Sequence, residues 1–397
     1  MLKSYYDGIE WYDYLIFLVY NCIFTYLLYS LGDVFFNIAK KSLRIFLLIF
    51  QLYFFIIITD SFFNFLPYIY DSQYYSYMIS SGQYPQTNPE NVIVLYYLSL
   101  FIGLISLNNP IIYIFINIAI YIIALFTFLK SWRTIFPNNY TAVEKIFPFL
   151  CLLFPAGLLY NTAPLSEAYI LFGFALFFSG FLKFFYHKKW LPLITGSIIL
   201  CAFRFQLLYF VLPVIFFLAL YRLKTNYMVK SALFISGITL VFLIFRFIIV
   251  DEPFTAEKLA ELRNTNLENA GQYVYGYASW HSYSDMVSDN IFYIAQFILS
   301  PLPIFITHNP ASTPLPLLDL IFTFLLLAIL VLNFKTIFIH FKPILLLALF
   351  YLILFGTSEY SLMDAIRHRM PIVILVMLMT AGPLENYFQR KKLQHNE

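Results

Sequence analysis

Asp71 is the residue whose surroundings most suggest chemistry. It lies in a tyrosine-rich stretch, YDSQYYSYMISSGQYP, that follows a long apolar run, and no Lys or Arg occurs between Ile45 and Leu129. A carboxylate in such a setting in a membrane protein usually has a function. It can accept a proton from a hydroxyl group while the hydroxyl oxygen forms a new bond. The alternative is a hydrated loop acid without a catalytic role.

Five further residues are candidates for contact with a polar substrate. Tyr74 and Tyr75 follow Asp71 and can stack on sugar rings or bond their hydroxyl groups. Glu167 opens an apolar helix, and Trp280 and His281 lie in an aromatic, polar loop. Each has a structural alternative, because tyrosines form belts at membrane interfaces and acids stabilise the first turn of a helix.

The densest cationic cluster on the predicted outer side is formed by Arg367, His368 and Arg369. Arginine is well suited to binding phosphate through two parallel hydrogen bonds. We therefore expect these residues to bind the phosphate or pyrophosphate of a lipid carrier. The alternative is that they form salt bridges with Glu359, with Asp364 or with lipid headgroups.

Two arginines, Arg204 and Arg246, lie inside or at the edge of apolar runs. A charged residue in a membrane segment is costly, and it is usually functional or paired. Arg204 lies at the predicted hinge of a short hairpin, which favours contact with a phosphate. Arg246 is close to the predicted outer end of its span, where it can either contact substrate or extend towards Asp251 or Glu252.

Composition places these residues in a membrane. Of the 397 residues, 61% are hydrophobic and 11% are charged, whereas a soluble protein has about 25% charged residues. Apolar runs long enough to cross a bilayer recur along the chain. The sequence predicts an all-α, polytopic transmembrane helical bundle that forms one integral membrane domain over residues 1–397.

The distribution of charge predicts the topology. Most of the 24 basic residues fall in six clusters, which we place on the cytoplasmic side because Lys and Arg are enriched there. This assignment predicts 11 crossings, with the N-terminus periplasmic and the C-terminus cytoplasmic. The predicted crossings are 14–31, 44–60, 110–129, 146–161, 165–184, 191–203, 206–220, 231–250, 317–334, 343–357 and 369–385.

Two large loops then lie on the outer face, at residues 60–109 and 251–316. Each contains an apolar segment that the charge pattern does not allow to cross, namely 92–107 and 291–307. The second loop also contains a predicted amphipathic helix at 256–268. We expect the two non-crossing segments to flank a cleft on the outer face.

Several activities have no support in the sequence. The chain contains no GxxxxGKS, GxGxxG or HExxH motif, so nothing indicates ATP hydrolysis, nucleotide binding or a zinc site. Its three cysteines all lie in apolar runs and are predicted to be core residues. We expect no cofactor and no nucleic-acid partner, and a divalent metal stays open.

Three stretches together resemble the GT-C superfamily of membrane glycosyltransferases. YDSQYYSYMISSGQYP resembles W-D-S-x-x-Y-x-x-I-A-x-x-G-Y of mannosyltransferase-like members. FPAGLLYNTAPLSEAYILFGFALFFSGF and the following LCAFRFQLLYFVLP resemble their S-x-x-x-T-E-x-L-F helix and L-x-R-P-x-x-L-L-x-L-P hairpin. SLMDAIRHRMPIVILVM resembles the R-Y-R-L-P-x-x-P stretch of family 39-like enzymes. Chain size and the number of crossings also resemble Wzy-type O-antigen polymerases.

The resemblance implies roles for individual residues. In GT-C enzymes the acid of the first outer loop is the catalytic carboxylate, which corresponds to Asp71. The basic residues before the last helix bind phosphate and correspond to Arg367 and Arg369, and the hairpin arginine corresponds to Arg204.

The chain also departs from the family pattern. Tyr70 stands where the family has Trp, Phe205 stands where it has Pro, and there is an extra first crossing. No second acid adjoins Asp71, which speaks against a metal.

The resemblance further implies a substrate and a location. We expect an inner-membrane enzyme of bacterial surface-polysaccharide assembly, such as O-antigen or capsule, that transfers or polymerises undecaprenyl-linked sugar units on the periplasmic face. Its partners would be the lipid-linked saccharide, the bilayer and a chain-length regulator or other assembly protein. The alternatives are an enzyme that adds single sugars from a polyprenyl-phosphate donor and, from another class, a flippase for lipid-linked oligosaccharides.

Overall fold

A computed structural model of the chain describes residues 6, 9–67, 69, 71–81, 101–222, 226, 228–229, 231–233, 235–237, 255–269, 274–302 and 314–394. The elements in these ranges are helices, and the β pairing found there is one isolated bridge between Val274 and Ser361. The helices named below are α1 (Trp11–Ser30), α2 (Lys40–Phe63), α3 (Asp71–Ser81), α4 (Pro110–Ile135), α5 (Pro137–Leu152), α6 (Pro155–Asn161), α7 (Glu167–His187), α8 (Trp190–Phe203), α9 (Leu208–Arg222), α10 (Ala256–Asn269), α11 (Tyr283–Leu299), α12 (Pro314–Leu332), α13 (Phe334–Ser358), α14 (Leu362–His368) and α15 (Met370–Gln394).

Eight helical segments in the described ranges are long and apolar enough to cross a membrane. They confirm the predicted all-helical membrane class, and each overlaps a predicted crossing. They are Trp11–Phe35, Lys40–Phe63, Pro110–Ile135, Glu167–His187, Phe205–Arg222, Pro314–Leu332, Phe334–Ser358 and Met370–Phe388. Most of the predicted crossing at 231–250 and most of the segment 92–107 lie outside the described residues. The count of 11 crossings therefore stays a prediction.

The chain divides into two compact units. Unit 1 comprises Met1–Phe205, Ile306–Ile337 and Val373–Glu397, and unit 2 comprises Gln206–Phe305 and Phe338–Ile372. Each is described by itself below. The prediction of one integral membrane domain stays a prediction.

Helix α4 is the central helix of unit 1. Pro110 occupies its first turn, and the side chain of Asn109 accepts a hydrogen bond from the backbone N–H of Ile111 at 2.9 Å. Of the residues in its apolar span, 83% are buried, against 22% for the span that begins with α1. A helix that is apolar on all sides either lies in a protein core or spans a membrane. Its high burial shows that α4 is packed among other helices of unit 1.

The predicted crossing at 146–161 is bent. Helices α5 and α6 meet at an angle of 59°. Pro155 begins α6, and because proline has no backbone N–H it interrupts the hydrogen bonds that would continue α5.

Two glycines allow α7 and α8 to pack closely. A Cβ atom on Gly180 would collide with the carbonyl oxygen of Pro192, and one on Gly196 would lie 2.7 Å from the carbonyl oxygen of Leu176. The backbones of this hairpin therefore touch directly. Helix α8 then ends at Arg204, whose backbone is extended. The sequence predicts a hinge at this residue, between the stretches at 191–203 and 206–220.

Unit 2 contains the predicted amphipathic helix, which the structure confirms as α10. Helix α11 begins with a capping box, in which Ser282 and Asp285 each bond the other's backbone N–H. Helix α11 ends two residues before Pro301, which cannot donate the backbone hydrogen bond that would continue the helix.

Candidate functional site

In unit 1, α3, which carries Asp71 and Tyr75, contacts the start of α7, which carries Glu167. The hydroxyl group of Tyr75 donates a hydrogen bond to Oγ of Ser166 at 3.0 Å. Ser166 is at the N-cap position of α7, but its side chain makes no capping bond. Its hydroxyl group therefore joins two helices rather than stabilising the helix that it precedes.

The turn before α7 is held by α4. Nδ2 of Asn117 donates to the carbonyl oxygens of Leu165 at 2.8 Å and Ala163 at 3.4 Å. Asn117 is 1% exposed, so these bonds form in an apolar interior, where an unpaired carbonyl group would be costly. They fix the backbone immediately before Glu167.

An aromatic cluster lies beside this contact. Tyr75 packs against a buried group that includes Tyr113 and Tyr169. The ring of Tyr169 also contacts Phe203, with 5.8 Å between ring centroids. Phe203 is followed by Arg204, so the cluster brings the end of α8 to the same region.

The elements that carry the predicted site residues Asp71, Glu167 and Arg204 are therefore neighbours in unit 1. Asp71 is the first residue of α3, one helical turn before Tyr75, and is partly exposed. Glu167 is the first residue of α7 and is buried. A carboxylate at the surface can accept a proton, while a buried carboxylate and a guanidinium group can orient hydroxyl and phosphate groups.

Two predicted substrate residues lie outside this description. The side chain of Tyr74 and all of Arg246 fall outside the described part of the chain. Their roles stay predictions.

The other predicted residues lie in unit 2. Trp280 is buried, and its indole N–H donates to Oδ2 of Asp289 at 3.0 Å. His281 is exposed, and its Nδ1 lies 3.7 Å from a carboxylate oxygen of Glu257. The two neighbours therefore have different environments, a packed core for Trp280 and solvent for His281.

The cationic cluster contacts groups within unit 2. Arg367 forms a salt bridge with Asp364 at 3.0 Å, and Nδ1 of the buried His368 contacts Oε2 of Glu359. These two pairings are the structural alternative that the sequence left open. The proposed binding of a carrier phosphate stays a prediction.

Arg369 contacts the C-terminal turn of α11. It is 1% exposed, and its Nη1 donates to the carbonyl oxygen of Ile298 at 2.5 Å and, more weakly, to that of Phe297 at 3.5 Å. The last carbonyl groups of a helix have no partner within it and carry partial negative charge. A cation at this position stabilises the end of α11.

Arg263 is a buried residue that sequence reasoning missed. Its guanidinium group donates to carbonyl oxygens of Gly276 at 2.7 Å, Thr357 at 2.5 Å and Glu359 at 2.8 Å. It also lies over the ring of Tyr293, 4.3 Å from the centroid. Burial lowers the pKa of Arg263 from its ordinary value. Because its partners are backbone groups far away in sequence, no pattern of side chains could have indicated this role.

Two buried acids of unit 1 were also missed. Asp60 is 0% exposed and accepts hydrogen bonds from the hydroxyl group of Tyr6 at 2.6 Å and the backbone N–H of Leu66 at 2.7 Å. Asp319 is 1% exposed and accepts from the N–H of Ala156 at 3.1 Å. Both acids lie inside apolar runs, and an acid in such a run is a signal that could have found them.

Within the described ranges, no three side chains of His, Cys, Asp or Glu are grouped as metal ligands. Comparison of the chain with protein-family models, with curated proteins and with solved structures finds no match.

Proposed function

We propose that this chain is a glycosyltransferase of the bacterial inner membrane that uses an undecaprenyl-linked sugar donor on the periplasmic face. The observation that carries the proposal is the contact between Tyr75 and Ser166. It joins the helix that begins with Asp71 to the helix that begins with Glu167, within a unit of apolar helices.

The finer architecture belongs to the same proposal. A GT-C-like bundle with 11 crossings, a periplasmic N-terminus and a cytoplasmic C-terminus would place the start of α3 on the outer face. The charge pattern of the sequence supports this orientation. A donor carried by a lipid would be available there, whereas nucleotide-linked sugars are cytoplasmic.

The proposed reaction is a single displacement. An acceptor hydroxyl oxygen forms a bond to the anomeric carbon of the donor, and the bond from that carbon to the carrier phosphate breaks. Asp71 takes the hydroxyl proton, and the bonding electron pair leaves with the phosphate. Arg204 stabilises the departing phosphate, because a guanidinium group can form two charge-assisted hydrogen bonds to phosphate oxygens as negative charge develops on them. Tyr75 and Glu167 orient the saccharide.

The proposal is tested by replacing Asp71 with Asn in a strain that lacks the chromosomal gene. Loss of the base should lower transfer by about 10²–10⁴-fold, while the amount of protein in the membrane stays the same. Lipid-linked saccharides are extracted and resolved on gels. Gln73→Ala, at an exposed position of α3, is the matched control and should behave as wild type. Normal transfer by Asp71→Asn would remove the assignment.

The same extracts distinguish the kind of unit that is transferred. Loss of a repeat-unit polymerase should leave a single completed unit on the lipid, and a chain-length regulator would then be a partner. Loss of an enzyme that adds one sugar should leave a lipid-linked saccharide that lacks that sugar.

A flippase for lipid-linked oligosaccharides is the second candidate, and the bend between α5 and α6 favours it. Transporters build substrate and ion sites at interrupted membrane helices. Loss of a flippase should leave completed precursors on the cytoplasmic leaflet and no saccharide at the surface. Asp71→Asn would then change transport rather than bond formation.

A further inference from the structure

Three lysines from three elements lie together at one end of unit 1. Lys130 is near the end of α4, Lys183 is near the end of α7, and Lys189 is the residue before α8. The backbone N–H of Lys189 donates to the carbonyl oxygen of Lys183 at 3.3 Å, so the chain turns back where α7 ends. The charges of Lys130 and Lys189 both act on the ammonium group of Lys183. One region of the surface therefore carries three positive charges.

Ring contacts hold α4 and α7 together at this end. Phe128 contacts Phe178 with 5.4 Å between ring centroids, and Phe136 contacts Tyr186 with 5.7 Å between ring centroids. The lysines of α4 and α7 lie between these two contacts along their helices. The packing of the rings therefore fixes how closely the helices bring the two lysines together.

Among the residues that the structure describes, no acid forms a salt bridge with this lysine cluster. The salt bridges found there involve other cations, such as Lys145 with Glu385. Lys130 is bonded to a neutral group, since its Nζ donates to the carbonyl oxygen of Phe35 at 3.1 Å. Like charges repel each other, and more strongly where a side chain is partly buried, as Lys183 is. An anion from outside the chain would offset this repulsion.

An exposed apolar stripe on α8 begins beside the lysine cluster. Trp190, Ile194 and Ile198 follow each other at intervals of four residues, so they lie on one face of the helix, and all three are exposed. The exposed Leu191 adds to the stripe. The ring of Trp190 contacts Phe184, with 4.0 Å between centroids, which holds it at the end of α7. Tryptophan is enriched at the level of lipid headgroups, and the apolar side chains beyond it suit acyl chains.

We propose that this end of unit 1 binds an anionic membrane phospholipid, with its phosphate at Lys130, Lys183 and Lys189 and its acyl chains along the exposed stripe of α8. Basic sites between transmembrane helices bind anionic headgroups. The apolar stripe beside the lysines favours a lipid over a soluble phosphate, which would use the lysines alone. The positive-inside rule predicts that this lipid lies in the cytoplasmic leaflet. The site is independent of the proposed transferase activity, since none of these residues takes part in it.

The test measures the thermal unfolding midpoint of the purified full-length protein in lipid-free detergent while phosphatidylglycerol, phosphatidylcholine or inorganic phosphate is added. A ligand that binds the folded state raises the midpoint, so we expect a saturable rise with phosphatidylglycerol alone. Lys183→Gln should raise the half-saturating concentration of phosphatidylglycerol about fivefold, the usual contribution of one basic residue at an anionic membrane surface. Replacing all three lysines of the cluster with glutamine should abolish the rise.

Lys335→Gln is the matched control, because Lys335 is an exposed lysine of unit 1 at the start of α13. This variant should keep the half-saturating concentration of the wild type. The proposal would be overturned by equal midpoints with the two lipids, or by a rise with inorganic phosphate, which would indicate a site for any anion. An unchanged half-saturation in Lys183→Gln would also overturn it, and this readout remains even if the triple variant does not fold.

Discussion

The hydroxyl group of Tyr75 is the contact between α3 and α7 on which the candidate site depends. We expect Tyr75→Phe to lower the free energy of unfolding by about 0.5–1.5 kcal/mol, the usual net value of one hydrogen bond. The ring stays in its aromatic cluster, so packing is kept. Activity should fall as well, because α3 loses its polar link to α7. Denaturant titration of the purified protein and the lipid-linked saccharide assay measure the two effects.

A double-mutant cycle is the control for this prediction. Ser166→Ala removes the other partner of the same bond. If the bond accounts for both losses, the double variant should be no less active than either single variant. Additive losses would mean that the two hydroxyl groups act separately.

At the scale of single residues, the sequence indicates charge but not the partner of that charge. The sequence predicts that Arg367 and Arg369 bind the same anion, because both are cations in one short segment. In unit 2 their surroundings differ, since one pairs with Asp364 and the other donates to carbonyl groups of α11. Carbonyl acceptors are present at every residue, so a sequence cannot show which of them a cation will reach.

At the scale of elements, Arg263 holds together three segments of unit 2. It connects α10 to the tract at 274–280 and to the end of α13. We expect Arg263→Lys to expose these segments to hydrogen exchange and to cost at least about 3 kcal/mol, because a lysine has one ammonium group and cannot satisfy the same set of carbonyl groups. Hydrogen exchange followed by mass spectrometry measures the protection of residues 274–280.

Lys258→Ala is the control on the same helix. Lys258 is partly exposed and pairs with the exposed Glu261 at 2.9 Å, and such surface pairs contribute about 0–1 kcal/mol. Its exchange pattern should match that of wild type. Wild-type protection of 274–280 in Arg263→Lys would show that this tract is held by other contacts.

The elements themselves were largely predictable from apolar run length and proline. Runs of suitable length predicted the eight apolar helical segments, and the position of Glu167 predicted the start of α7. The bend at Pro155 was not predicted, since the same run of apolar residues fits a straight span or two short helices. Asp319 reaches Ala156 from a helix far away in sequence, and only the packed bundle brings them together.

At the scale of the whole molecule, the function depends on which side of the membrane each loop occupies. The positive-inside rule predicts that position 281 faces the periplasm and position 188 faces the cytoplasm. Both side chains are exposed, so both sites can be labelled if the reagent reaches them. With Cys22, Cys151 and Cys201 replaced, His281→Cys should react with a membrane-impermeant maleimide on intact cells, and Lys188→Cys should not.

Permeabilised cells give the matching control, because both cysteines should then react to a similar extent. Labelling of position 188 alone in intact cells would show that the topology is the reverse of the predicted one. The start of α3 would then face the cytoplasm, away from lipid-linked donors. That outcome would end the case for a periplasmic transferase, even though the hydrogen bonds within unit 1 would be unchanged. The packing of the helices is thus independent of which side of the membrane each loop faces. The uneven distribution of Lys and Arg predicts only the side.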